Sequence, residues 1–170
     1  MIDFTTIGYL KAGTEKQQRA YEILTEYRIF EKLTGYTPIL AGTIPIGIDI
    51  EGSDLDVICE MKNKIEFERF LTDIFSDFNI KVESLEINGE DAVVSNFTLE
   101  EFPVEIFGQN KPVTGQNAYR HMIAEYRILQ EKGEDFKNRI IALKKRGIKT
   151  EPAFGILLGL ENPYEDLLKF

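Results

Sequence analysis

The chain has 170 residues, 43% of them hydrophobic, which suits one domain with a sizeable core; its 29 acidic and 20 basic residues leave a formal net charge of −9. That balance makes duplex DNA a poor partner, because nucleic acid is bound mainly through phosphate neutralisation. The lone cysteine, Cys59, excludes an internal disulfide and a cysteine-rich zinc site; with no membrane-length apolar run and no signal-peptide pattern over residues 1–11, a cytoplasmic protein without membrane contact is expected.

Ala20, Leu24, Tyr27 and Phe30 recur at helical spacing and predict a helix over residues 15–33, opened by a capping box of Thr14 and Gln17 and stopped by Gly35. A strand over 37–41, a loop rich in Gly, Pro and Ile over 42–52, and a strand over 55–59 come next. Asn63, with Glu66 three residues on, opens a second helix whose apolar face holds Ile65, Phe67, Phe70, Leu71, Ile74 and Phe75. Strands over 81–87, 92–97 and 103–107 follow, the first two joined by the hairpin signal Asn88-Gly89.

The rest reads as helical: 116–130, 135–146, 151–158 with Thr150 as cap, and a short piece opened by Asn162-Pro163. Lys144, Lys145, Arg146 and Lys149 read as cations meeting the negative end of a helix dipole. This order predicts an α/β (α+β) fold, a mixed β-sheet flanked by helices. Residues 1–112 would form the core, and residues 113–170 a C-terminal helical layer packed on it.

The chemistry gathers between Gly42 and Val57. Alternate residues of a strand share a face, so Asp54 and Asp56 point one way while Leu55, Val57 and Cys59 point into the core. Two carboxylates side by side on an apolar strand repel each other and cost desolvation, and a hard divalent cation with oxygen ligands relieves both. The bland alternative for Asp-x-Asp is a solvated strand end. Gly42-Thr43 directly after a strand lets an N–H or hydroxyl reach a phosphate unobstructed, and Gly47 lets the loop turn back.

Gly42-Thr43, Gly47 and Ser53-Asp54-Leu55-Asp56 together resemble the signature of the nucleotidyltransferase (DNA polymerase beta-like) superfamily. The chain also resembles a bacterial family of small nucleotidyltransferase-like proteins, through residues 41–57, 104–109, 119–122 and 150–154. The resemblance implies a nucleotidyltransferase-like sheet and Mg²⁺ (or Mn²⁺) held by Asp54, Asp56 and a third carboxylate, Glu105, with Glu60 and Glu100 as weaker rivals. It implies nucleotide binding by Gly42, Thr43, Gly47 and Ser53, and transfer of a nucleoside monophosphate from a nucleoside triphosphate to a hydroxyl on a small molecule, an RNA end or a protein. The alternatives are a catalytically degenerate binding or regulatory module of the same fold and a metal-assisted phosphohydrolase. Two departures stand out: Ile44-Pro45-Ile46 replaces the polar pair that many relatives carry in the glycine loop, and Thr43 replaces the usual Ser or Gly.

On the helix from residue 116, Gln116, Arg120 and Arg127 share one face, and Tyr119, Met122, Tyr126 and Leu129 another. Arg120 suits a triphosphate contact or a surface ion pair. His121, the only histidine, suits a base or ligand role, or packing near Glu125.

Overall fold

Strand and helix periods alternating along the chain place helices on both faces of one sheet in the computed structural model, which describes residues 2–87 and 89–170. Helix α1 (Glu15–Glu26) opens with the expected capping box: Thr14 Oγ1 accepts the Gln17 N–H at 3.2 Å, and Gln17 Oε1 accepts the Thr14 N–H at 2.9 Å. The helix does not run to Leu33. It breaks at Tyr27, Arg28 takes φ 56°, and α2 (Ile29–Lys32) and a 3₁₀ turn, Thr34–Tyr36, continue the chain, so Gly35 ends no α-helix. A straight helix at 3.6 residues per turn would turn Ile29 and Leu33 away from the face of Ala20 and Leu24. The break buries all four in one core.

The sheet contains β1 (Ile39–Ala41), β2 (Leu55–Glu60), β3 (Lys81–Ile87), β4 (Glu90–Leu99) and β5 (Phe102–Gln109), in the order β1-β2-β5-β4-β3. The β2–β5 pair is parallel and the other pairings are antiparallel. Strands β3 and β4 pair up to Ile87 opposite Glu90, as the hairpin signal requires, although Asn88 itself lies outside the described residues.

Between β2 and β3 lies α3 (Lys64–Ile74), capped by Asn63, whose Oδ1 accepts the Glu66 N–H at 3.1 Å. Its buried stripe is narrower than the apolar pattern implied. Phe67, Leu71 and Phe75, four residues apart, are fully buried, whereas Ile65 and Ile74 fall off that stripe and are 57% and 40% exposed.

The C-terminal layer holds α4 (Asn117–Lys145), α5 (Thr150–Leu158) and α6 (Pro163–Asp166). The two helices expected over 116–146 meet end to end at Gly133, whose φ of 77° kinks α4. Thr150 is not the cap of α5: it lies in the first turn, and Lys149 holds the cap position without a side-chain bond. Pro163 takes the first helical position of α6.

Alternation along the strands splits the core in two. Leu55, Val57, Cys59, Val104 and Ile106 pack with α1 and α3 on one face, and Ile39, Ala41 and Ile58 pack with α4 and α5 on the other. Among the described residues no helix is long and apolar enough to cross a membrane.

Candidate active site

The candidate site lies on the second face, where the sheet meets α4 and α5. Asp56 on β2 stands in register between Ala41 of β1 and Glu105 of β5. Both carboxylates line a cavity of about 520 Å³, together with Gly42, Thr43, Gln109, Gln116, His121 and Glu125. Glu105 thus occupies the side of β5 opposite Val104 and Ile106, which are buried against α1 and α3.

Asp56 is under electrostatic pressure. Burial first, then the charges of Asp54 and Glu105, push its carboxyl up to about 7, against an opposing pull from Lys144. Glu105 is raised for the same two kinds of reason, burial before the charge of Asp54. The backbone leaves room for this carboxylate only because position 42 has no side chain. A Cβ on Gly42, where φ is 80°, would meet Asp56 Oδ2 at 2.1 Å. Asp54, just before β2, is exposed and lines a second cavity, of about 510 Å³, with Asn79, Lys81, Asn96 and Thr98. Among the described residues, no three His, Cys, Asp or Glu side chains converge into a preformed metal cage. Asp56 and Glu105 share the main cavity, while Asp54 lines the second and acts on both through its charge.

The loop ahead of β2 is fastened at every turn. Gln17 Nε2 donates to the carbonyls of Ile44 (2.8 Å) and Pro45 (3.1 Å), Lys144 Nζ to that of Ile48 (2.7 Å), and Lys16 Nζ to that of Ile50 (2.5 Å). Ile44 is buried in the core beneath α1 and α3, and Ile46 and Ile48 in the core beneath α4 and α5. The apolar Ile44-Pro45-Ile46 departure therefore anchors the loop in both cores. Lys144 lies in the last turn of its helix, as expected of a cation meeting the dipole's negative end, but it is only 7% exposed, and burial lowers the pKa of its ammonium.

Of the residues singled out in the sequence, Gly42, Thr43, Asp56, Glu105 and His121 line the main cavity. Gly47 closes a loop turn, its N–H bonded to the Ile44 carbonyl at 3.1 Å. Ser53 closes the next one, its Oγ accepting the Ile50 N–H at 2.9 Å. Arg120 is exposed, with Nη1 3.5 Å from Asn117 Oδ1. Gln116 does not share a solvent face with it: it is 1% exposed and donates to the carbonyls of Cys59 (2.9 Å) and Lys111 (3.1 Å). His121 packs against α5 and α6 through Glu151 Oε1, 3.6 Å from Nδ1, and the Tyr164 carbonyl, 2.8 Å from Nε2. The rivals Glu60 and Glu100 are occupied elsewhere, by Lys62 and the Tyr27 hydroxyl respectively.

Sequence reasoning missed Glu125 and Glu151, which both line the cavity. The signal for Glu125 was a charged residue breaking the stripe of Met122, Tyr126 and Leu129. Glu151 read only as part of a helix start.

No curated protein matches this sequence. Among solved structures, the chain is similar to the Cid1 poly(U) polymerase with Mg 3'-dATP bound, at TM-score 0.56 and 12% identity, over 77% of this chain and 41% of that one. It is similar to the GLD-2/RNP-8 complex structure at TM-score 0.55 and 13% identity, over 89% of this chain and 61% of that one. A cytoplasmic RNA terminal U-transferase matches at TM-score 0.52 and 13% identity, over 77% and 39%. The chain thus spans less than two thirds of the length of these proteins, and the likeness is one of fold: a polymerase beta-like nucleotidyltransferase fold built on a mixed sheet. A family model described as "Domain of unknown function (DUF4269)" matches residues 22–170.

Proposed function

The chain belongs to this DUF4269 family, and from that premise we propose that it is a divalent-metal-dependent nucleotidyltransferase that moves a nucleoside monophosphate from a nucleoside triphosphate to a hydroxyl acceptor. The observation that carries the reading is the Asp56–Glu105 pairing across β2 and β5, with the space above Asp56 kept open by Gly42. A structural role gives no reason to hold two carboxylates in register inside a half-buried cavity, at a cost in desolvation and repulsion.

The donor set fits Mg²⁺ or Mn²⁺: it is all carboxylate oxygen, and the raised Asp56 carboxyl marks where a cation would replace a proton. Asp56 and Glu105, joined by Asp54, would hold it, and the bound ion would neutralise phosphate oxygens and activate the attacking hydroxyl. The Gly42 and Thr43 N–H groups and the Thr43 hydroxyl would hold phosphate oxygens at the end of β1. Glu105 would accept the proton of the acceptor hydroxyl as its oxygen bonds to the α-phosphorus and the bond to the departing pyrophosphate breaks. Residues 113–170 would act as the wall that closes the cleft and excludes water. The Mg 3'-dATP bound to the Cid1 poly(U) polymerase supports this reading by analogy of fold.

Calorimetric titration of Mg²⁺ with ATP, GTP, CTP or UTP tests it. At least one triphosphate binds the wild type in a metal-dependent manner, and binding is lost in Asp54→Asn/Asp56→Asn. A well-folded wild type that binds none of the four would overturn the transferase reading in favour of a noncatalytic binding module.

A further inference from the structure

The main cavity carries more negative charge than a metal site uses. Asp56, Glu90, Glu105, Glu125 and Glu151 all line it, and Lys111, the one lysine in the lining among the described residues, is tied to Glu90 at 3.0 Å. With Asp56 and Glu105 assigned to the metal and Glu90 paired with Lys111, Glu125 remains, beside Glu151, whose Oε1 lies 3.6 Å from His121 Nδ1. They sit on the wall formed by α4 and the first turn of α5.

Glu125 is the stronger indication. It is 4% exposed, it faces the cavity, and among the described residues its carboxylate takes part in no hydrogen bond or ion pair. Burial, and then the charge of Glu151, hold its carboxyl well above the usual carboxylate range, while Lys144 pulls the other way. Lys144 has its Nζ committed to the Ile48 carbonyl. Elsewhere in the same lining, Gln116 Oε1 is buried without a partner. A buried polar group without a partner costs free energy until a ligand supplies one, and a carboxylate gains most from a charged donor.

We propose that the Glu125–Glu151 wall is a binding subsite for an ammonium group, and hence that the acceptor is a small amine-bearing polyol. This rests on the transferase reading, whose acceptor it names by class. The cavity volume of about 520 Å³ suits a small molecule. An RNA end would bring phosphates against like charge, and a neutral sugar would leave Glu125 without a charged donor.

The test uses the full chain without metal or nucleotide, titrated with glucosamine and with glucose, its uncharged counterpart in shape. Glucosamine binds about tenfold tighter or better, the difference one charged hydrogen bond supplies. Glu125→Gln and Glu151→Gln, which keep side-chain shape, each remove most of that preference, whereas Asp54→Asn/Asp56→Asn retains it. Equal binding of the two sugars, or a preference that survives both Gln variants, overturns the proposal. So does a short oligoribonucleotide that displaces glucosamine, or Mg²⁺ binding that depends on Glu125. Because the amine titration needs no metal or triphosphate, its failure is separable from failure of the Mg²⁺–triphosphate titration.

Discussion

At Gly42 a single methyl group would sit 2.1 Å from Asp56 Oδ2, on a backbone with φ 80°. Gly42→Ala therefore strains the loop and displaces the carboxylate at once. A loss of about 1–3 kcal/mol in urea denaturation is expected, together with a marked fall in Mg²⁺–triphosphate affinity by calorimetry. Arg28 is the opposite case, a long side chain in the left-handed region at φ 56° whose ion pair with Glu31 is exposed. Arg28→Gly should raise stability by about 0.5–1 kcal/mol, since the surface pair contributes little against the backbone strain. Gly42 was legible in the sequence because a glycine at the end of a strand has few other uses. Arg28 was not, because nothing in its side chain announces a left-handed backbone. Glu125 lay between the two: an acid inside an apolar helical stripe is visible, but only the opposite wall of the cavity gives it a meaning.

Among the elements, the loop between β1 and β2 depends on tethers from two helices at opposite ends of the chain, Gln17 of α1 and Lys144 of α4. Lys144→Met keeps the buried stem and leaves the Ile48 carbonyl without its donor, a change expected to cost about 1–3 kcal/mol. Hydrogen exchange should then quicken over residues 42–52 before it quickens elsewhere. Strands, the hairpin and the caps of α1 and α3 could be read from sequence because their signals are local: Asn63 and Thr14 act within three residues of themselves. The role of Lys144 could not be read that way, because its partner is fixed by how α4 packs across the sheet. The apolar loop residues Ile44 and Ile46 read only as a departure from the polar pair of many relatives for the same reason, since the cores that receive them exist only in the folded chain.

For the molecule as a whole, the acidic cavity links stability to pH and, on the proposed function, to divalent metal. The folded chain holds a proton on Asp56 up to about pH 7, whereas an unfolded Asp releases it near its ordinary value of 3.8. Between those values the folded state binds more protons, so this group's contribution to stability falls as pH rises through the window and is fully lost above it. Glu105 shifts in the same direction. A cation that binds the native state restores what the lost proton supplied. The thermal midpoint should rise with Mg²⁺ more at pH 8 than at pH 5, and Asp54→Asn/Asp56→Asn should abolish the difference.

The strand order β1-β2-β5-β4-β3 has a bearing on how the protein is made. Strand β5, last of the five to leave the ribosome, takes the place between β2 and β4. Until it arrives, the early chain can form only two separate ribbons, β1 with β2 and β3 with β4, each with an open edge where β5 will pair. Glu105 lies on that late strand and Asp56 on one of the waiting ribbons. Joining them closes a long stretch of chain, the slow kind of step in folding. Completion of the sheet and assembly of the candidate site are then one event, and a nascent chain passes through synthesis with Asp56 and Glu105 apart until the fold that pairs them is in place.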